Sequence, residues 1–106
     1  MNSLYIDTTS NQEIILRLTR DGKVETVKQA LEKQKAQIVL PLIQKLLNKH
    51  QLTPQDIDAI EVNPGPGSFT GVRVGVSIAN ALSYALGIPV NKINVLEEEG
   101  IVEPQY

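Results

Sequence analysis

Cysteine and tryptophan are absent from the chain, and phenylalanine, methionine and histidine occur once each. Without cysteine there is no disulfide framework, no thiolate nucleophile and no sulfur ligand for zinc. The single histidine, His50, falls at the end of a predicted helix, where it is expected to cap carbonyls, so no Ser-His-Asp assembly is credible. A strong charge of either sign is also missing. Ten basic and 12 acidic residues leave a net charge of -2, which does not favour strong nucleic-acid binding by the isolated chain. No stretch approaches the roughly 20 apolar residues that a membrane helix needs. The opening MNSLYIDTTS has no basic region followed by an apolar one, so a cytoplasmic location is expected.

What is present describes one globular α/β domain. The 106 residues, 42% of them hydrophobic, suffice for one core, and residues 1–96 are expected to form it. The stretch 97–106, opening on Glu97-Glu98-Glu99-Gly100, reads as a solvated tail. Leu4 to Asp7 is a short apolar run, and Ile14, Leu16 and Leu18 alternate as in a half-buried strand over Glu13 to Thr19. Arg20-Asp21-Gly22-Lys23 carries the Asp-Gly signal of a tight hairpin, which makes Val24 to Lys28 the third strand of an antiparallel meander.

From about Ala30 to His50 the apolar period becomes helical, with Pro41 kinking the helix unless the helix proper begins there. Thr53-Pro54 reads as an N-cap and first helical position of a single turn through Asp58, and Ala59 to Val62 as a strand. A second helix is predicted over Thr70 to Leu86, capped by Gly87, and a last strand over Pro89 to Val95. The order gives a three-strand antiparallel meander plus two parallel strands, flanked by helices.

Asn63 to Gly75 holds four of the seven glycines at the junction between the fourth strand and the second helix. Such clustering marks positive φ or a close approach to another backbone or a ligand. A phosphate could sit on Gly67-Ser68-Phe69-Thr70-Gly71 through backbone amides and the helix dipole, but neither GxxxxGK[ST] nor GxGxxG is matched. Pro64 and Pro66 also withdraw two amides. Asp7, followed by Thr8, Thr9 and Ser10, is the other candidate for a nucleotide or phosphate contact, with Thr8, Ser68 and Thr70 beside it. One carboxylate does not make a two-metal hydrolase, and Asp58 and Glu61 read as exposed polar positions, so no metal site is expected.

On the second helix, Val74, Ile78, Ala81, Leu82 and Ala85 share an arc expected to face the sheet. Gly71, Gly75, Ala79 and Ser83, spaced four apart, form a bare ridge beside Val72 and Val76. That ridge either packs on the chain's own first helix or admits a partner's helix. The apolar positions of the first helix, Val39, Ile43 and Leu47 among them, spread over roughly 200° of arc, wider than one sheet contact needs. An uncovered helix pair predicts a protein interface.

The stretch GPGSFTGVRVGVSIANALSYALGIPV, Gly65 to Val90, resembles the signature segment of the TsaB (YeaZ) family. YIDTTS at Tyr5 to Ser10 resembles that family's first strand, and IVLPLIQKLL at Ile38 to Leu47 its proline-containing helix. The resemblance implies a ribonuclease-H-like fold of the actin, Hsp70 and acetate kinase superfamily. It implies a non-catalytic scaffold that activates a TsaD-type subunit in making threonylcarbamoyladenosine next to the tRNA anticodon. Such a chain has no catalytic residue and no cofactor of its own, the complex using ATP. It binds the TsaD-type subunit through its two long helices, meets a TsaE-type ATPase in the assembly, and reaches tRNA indirectly. The expected interface is Val39, Ile43, Leu47, Gly71, Val72, Gly75, Val76, Ala79 and Ser83. A homodimer through the same helices is a further reading. The alternative from another class is a small nucleotide-binding phosphotransferase or nuclease of the same fold, using Asp7 and the 65–71 loop. Two departures stand out: family members are usually longer, with a second domain, and Lys35-Ala36-Gln37 replaces the family's usual His-Ser or Glu-Ser.

Overall fold

The computed structural model describes residues 1–30 and 35–91. Strands β1 (Asn2–Asp7), β2 (Glu13–Arg20) and β3 (Lys23–Ala30) are followed by helix α1 (Lys35–Lys49), strand β4 (Ala59–Val62) and helix α2 (Phe69–Leu86). The sheet runs β3-β2-β1-β4, antiparallel except for the parallel pair β1–β4. Asp21 and Gly22 both take positive φ, 50° and 83°, as a two-residue turn between right-twisted strands requires. Ala30 ends β3 rather than opening the first helix, because strand pairing with Glu13 carries that far.

Alternation fixes which strand face is buried. Leu4 and Ile6 of β1, Ile14, Leu16 and Leu18 of β2, and Ile60 and Val62 of β4 all turn toward the helices, where Val39, Ile43, Leu46 and Leu47 of α1 meet them. Pro41 lies inside α1. The turn at Pro54–Asp56 is 3₁₀, shorter than expected, and the Asp56 carboxylate accepts from the Thr53 N–H (2.7 Å) and hydroxyl (3.1 Å). Gly87 closes α2 in the left-handed region at φ 68°. Val90 makes a single parallel bridge to Ile60, where the last strand was expected to begin, and Asn91 at φ 49° then turns its amide onto Val62. That amide pairs with both the N–H (2.8 Å) and the carbonyl (3.0 Å) of Val62. Residues 92–95 of the expected strand and the 97–106 tail lie outside the described residues.

The phase of α2 differs from the expected one. Val72, Val76, Ala79 and Ser83 are buried against the sheet, whereas Ala81 and Ala85 are exposed and Val74, Ile78 and Leu82 only half-buried. The helix is apolar on nearly every side, so periodicity alone does not select its inward face. His50 also departs from expectation. Its imidazole Nε2 lies 3.2 Å from Glu25 Oε1 without hydrogen-bond alignment, and it is the backbone carbonyl of His50 that is capped, by the Arg20 guanidinium at 3.5 Å.

Candidate functional site

The alternation that sends Leu4 and Ile6 inward sends Thr8, two residues on, toward α2. Its buried hydroxyl donates to the Gly71 carbonyl and accepts from the Gly75 N–H at 3.0 Å. Those are the two groups that an α-helix links from residue i to i+4, so the end of β1 is stitched into the second turn of α2. The approach is possible only without a side chain at residue 75, since a Cβ there would run into Thr8 Oγ1. Gly67 serves in the same way: a Cβ on it would come within 2.6 Å of Thr9 Cβ, and the neighbouring Ser68 N–H donates to the Thr9 carbonyl at 2.9 Å. The glycine-rich junction is thus shaped by the chain's own first strand.

These contacts remove Thr8 from the candidate phosphate ligands, because its hydroxyl is spent on the helix. Ser68 caps α2, its Oγ accepting from the Gly71 N–H at 3.4 Å, and Thr70 is exposed in the first turn. The Asp7 carboxylate accepts from the Thr9 N–H (2.9 Å), the Thr9 hydroxyl (2.7 Å), the Tyr5 hydroxyl (3.2 Å) and the Asn63 amide (3.3 Å). Burial pushes this carboxyl up, but the hydrogen bonds from Thr9, Asn63 and Tyr5 outweigh it and hold Asp7 below the usual carboxylate range. Burial, then the Asp7 charge, raises the Tyr5 phenol. An ionised carboxylate repels phosphate in direct contact, and its lowered pKa makes it a weaker base than an ordinary carboxylate. Asn63 joins it to the loop, its Oδ1 accepting from the Gly65 N–H at 3.1 Å. Among the described residues no cluster of three or more acidic or histidine side chains could hold a metal.

The residues expected at a partner interface are placed in the interior. Val39, Ile43 and Leu47 belong to the core, and Gly71, Val72, Gly75, Val76, Ala79 and Ser83 form the sheet-facing side of α2. This corrects the expected site: the bare ridge is taken by Thr8 and the strands. Another side of α2, however, repeats the pattern outward, with Ser77, Ala81 and Ala85 exposed at spacings of four. Leu40 of α1 at 50% exposure and Tyr84 of α2 at 69% stand beside it. A groove of about 400 Å³ runs between the helices, lined by Leu40, Thr70, Arg73, Val74, Ser77 and Ile78. The inward alternation of Leu4, Ile6 and Thr8 was the signal that could have separated the two ridges, since it aims a hydroxyl at the helix.

Comparison with known proteins gives this geometry a context. Residues 26–99 match the sequence model of the family described as TsaD: tRNA N6-adenosine threonylcarbamoyltransferase. The chain is 37% identical over its whole length to the tRNA threonylcarbamoyladenosine biosynthesis protein TsaB of Bacillus subtilis, covering 50% of that protein. The chain belongs to the TsaD family and, within it, to the TsaB (YeaZ) branch. YeaZ from Pseudomonas aeruginosa superimposes with a TM-score of 0.78 at 30% identity, over 84% of this chain and 41% of that one. The tRNA N6-adenosine threonylcarbamoyltransferase of Ralstonia pickettii is 46% identical over 56% of this chain and 17% of its own. TsaB-type relatives are therefore spanned for about half their length or less, and the fold is that of the actin and Hsp70 type, ribonuclease-H-like with a mixed sheet. No helix among the described residues is long and apolar enough to cross a membrane.

Proposed function

We propose that this TsaB-branch chain is a non-catalytic subunit in the formation of threonylcarbamoyladenosine in tRNA, activating a TsaD-type subunit by docking on it through the outward face of α1 and α2. The observation that carries the reading is the groove between Leu40 and Ile78, bordered by a second bare ridge at Ser77, Ala81 and Ala85. Small residues let another helix come near backbone to backbone, and Leu40, Val74, Ile78 and Tyr84 supply apolar area around the contact. The family membership supports a homologous partner, and the occupied oxygens of Asp7 support the absence of chemistry in this chain. ATP is then used elsewhere in the assembly, by a TsaE-type subunit, and this chain holds no cofactor.

Ala81→Arg and Leu40→Asp test the reading, because both positions are exposed and neither change touches the core. Each is expected to abolish co-purification with a TsaD-type partner while the thermal midpoint stays within a few degrees. Undiminished co-purification by both variants sinks the proposal.

A further inference from the structure

The two edges of the sheet end differently. At β4 the chain closes the edge itself: Ile60 pairs with the Pro89 carbonyl (2.9 Å) and the Asn91 N–H (2.8 Å), and the Asn91 side-chain amide meets both backbone groups of Val62. β3, at the other end of the order β3-β2-β1-β4, has no such cover among the described residues.

The ladder fixes which β3 groups point outward. Asn2 and Ile6 turn their carbonyls to the β4 side, accepting from the N–H groups of Asp58 and Asn63. Backbone groups alternate between a strand's two neighbours, so Ser3, Tyr5 and Asp7 bond to Thr19, Arg17 and Ile15, and Leu16, Leu18 and Arg20 bond to β3. Their partners Val27, Glu25 and Lys23 are thereby used, and Val24, Thr26, Lys28 and Ala30 present N–H and carbonyl groups outward. Gln29 Nε2 reaches one of these, the Ala30 carbonyl, at 3.2 Å. An open edge of eight residues is a template for another strand. Its side chains offer apolar area as well. Val27 on the helix side is half-buried, as are Ile38 and Leu42 of α1, which share the side of that helix from which Lys49 reaches Glu25 at 3.0 Å. Val24, on the other face, is 60% exposed.

We propose that a second copy of this chain adds its β3 to this edge, antiparallel and centred on Val27, joining two four-stranded sheets into one. The strand's own sequence selects the register, since hydrogen bonds form only where outward-pointing residues face each other. Centring on Glu25 or on Lys28 opposes like charges, and centring on Thr26 sets Val27 against the Glu25 carboxylate. Centring on Val27 sets Val27 against Val27, Glu25 against Gln29, Thr26 against Lys28 and Val24 against Ala30, with no like charges directly opposed. The Val24–Ala30 and Thr26–Lys28 pairs and their symmetry mates then exchange about eight backbone hydrogen bonds. Lysine on an edge strand ordinarily discourages pairing; here Lys28 blocks the register centred on itself and leaves this one open. The pairing uses no residue of the Leu40–Ile78 groove, so it stands or falls apart from the proposed docking.

The chain has no cysteine, so single substitutions in the full chain report the register directly. Val27→Cys places two thiols in a non-hydrogen-bonded pair with Cα atoms about 4.5 Å apart, within disulfide reach. Under oxidised glutathione it is expected to give a linked dimer. Gln29→Cys, whose two copies lie about 13 Å apart along the strands, is expected to stay monomeric. Sedimentation into the millimolar range is expected to show wild type dimerising reversibly and Thr26→Pro monomeric, because the proline removes an outward N–H that an edge strand can spare. Circular dichroism of Thr26→Pro is expected to match wild type; if it does not, the two cysteine variants decide. Ala81→Arg is expected to leave this dimer intact. A wild type that stays monomeric throughout, a folded Thr26→Pro that dimerises equally, linkage at Gln29 as fast as at Val27, or loss of the dimer in Ala81→Arg overturns the proposal.

Discussion

Gly75→Ala is expected to destabilise this protein, although alanine is favoured over glycine by about 1 kcal/mol in a helix interior. The new Cβ would overlap Thr8 Oγ1 and press on its Cβ and Cγ2 at 3.3 Å. Thr8 has nowhere to retreat: it is fully buried, and moving it breaks the bonds to the Gly71 carbonyl and the Gly75 N–H. Forcing a methyl into a filled site costs about 1 to 3 kcal/mol, and leaving a buried hydroxyl unpaired about 1 to 3 more. After the gain in helix propensity, the net loss is about 3 kcal/mol. For a domain of this size each kcal/mol moves the thermal midpoint by roughly 4 to 8 °C, so a fall of at least about 12 °C is expected in a melt followed by circular dichroism. Thr8→Ala in the same background should recover part of the loss, because it removes the colliding atoms, and a coupling of about 1 kcal/mol or more between the two sites is expected. A variant that melts higher than wild type, as an ordinary exposed helix glycine would when replaced, refutes the close approach of β1 to α2.

Two other perturbations address the site and the second helix. The Asp7 carboxyl is held below its ordinary range, so it adds stability above about pH 4 that disappears as pH falls through its folded value. Urea midpoints measured down the acid limb should therefore drop more steeply for wild type than for Asp7→Asn; parallel curves mean that the Thr9, Asn63 and Tyr5 hydrogen bonds do not favour the ionised form. Ala79→Leu and Ala81→Leu place the same side chain two residues apart on α2. The first, at a fully buried position, should cost about 1 to 3 kcal/mol in denaturant unfolding, and the second, exposed, should stay within about 0.5 kcal/mol; equal effects would contradict the observed rotation of α2.

The strands were readable because their signals are local. Ile14, Leu16 and Leu18 alternate, Asp21-Gly22 allows one kind of turn, and β4 begins and ends where Ala59 and Val62 were expected to place it. The Thr53-Pro54 turn and the Gly87 cap were legible for the same reason. The rotation of α2 was not, because the helix offers apolar or small residues on nearly every side. The choice was made by a residue more than sixty positions away, Thr8, whose hydroxyl needs two backbone partners at a place without side chains. His50 was misread for a related reason: its partner Glu25 lies on another element, 25 residues earlier, and helix-end chemistry does not contain that information. Asp7 could be picked out as a strand-end carboxylate, but its four donors, which turn a candidate ligand into a saturated one, come together only in the fold.

The glycines of the junction and the outward groove are linked through one distance, that between α2 and β1. Thr8 reaches the α2 backbone because Gly75 carries no Cβ, and Gly67 gives the same freedom one loop earlier. Drawn down in this way, α2 spends its glycines on the sheet and turns Ser77 and Ala81 outward, side chains that add little height above the helix backbone. Leu40 and Tyr84 are half and more exposed, and a hollow lies between Leu40 and the Thr70–Ile78 stretch of α2. Lengthening either ridge would therefore fail differently: on the inner side it lifts α2 from the sheet, and at Ser77 on the outer side it fills the hollow while leaving the fold intact. The glycine-rich signature thus contributes to docking indirectly, by setting how deep the helix lies, and the residues that meet a partner are ones whose small size carries no strong signal in the sequence.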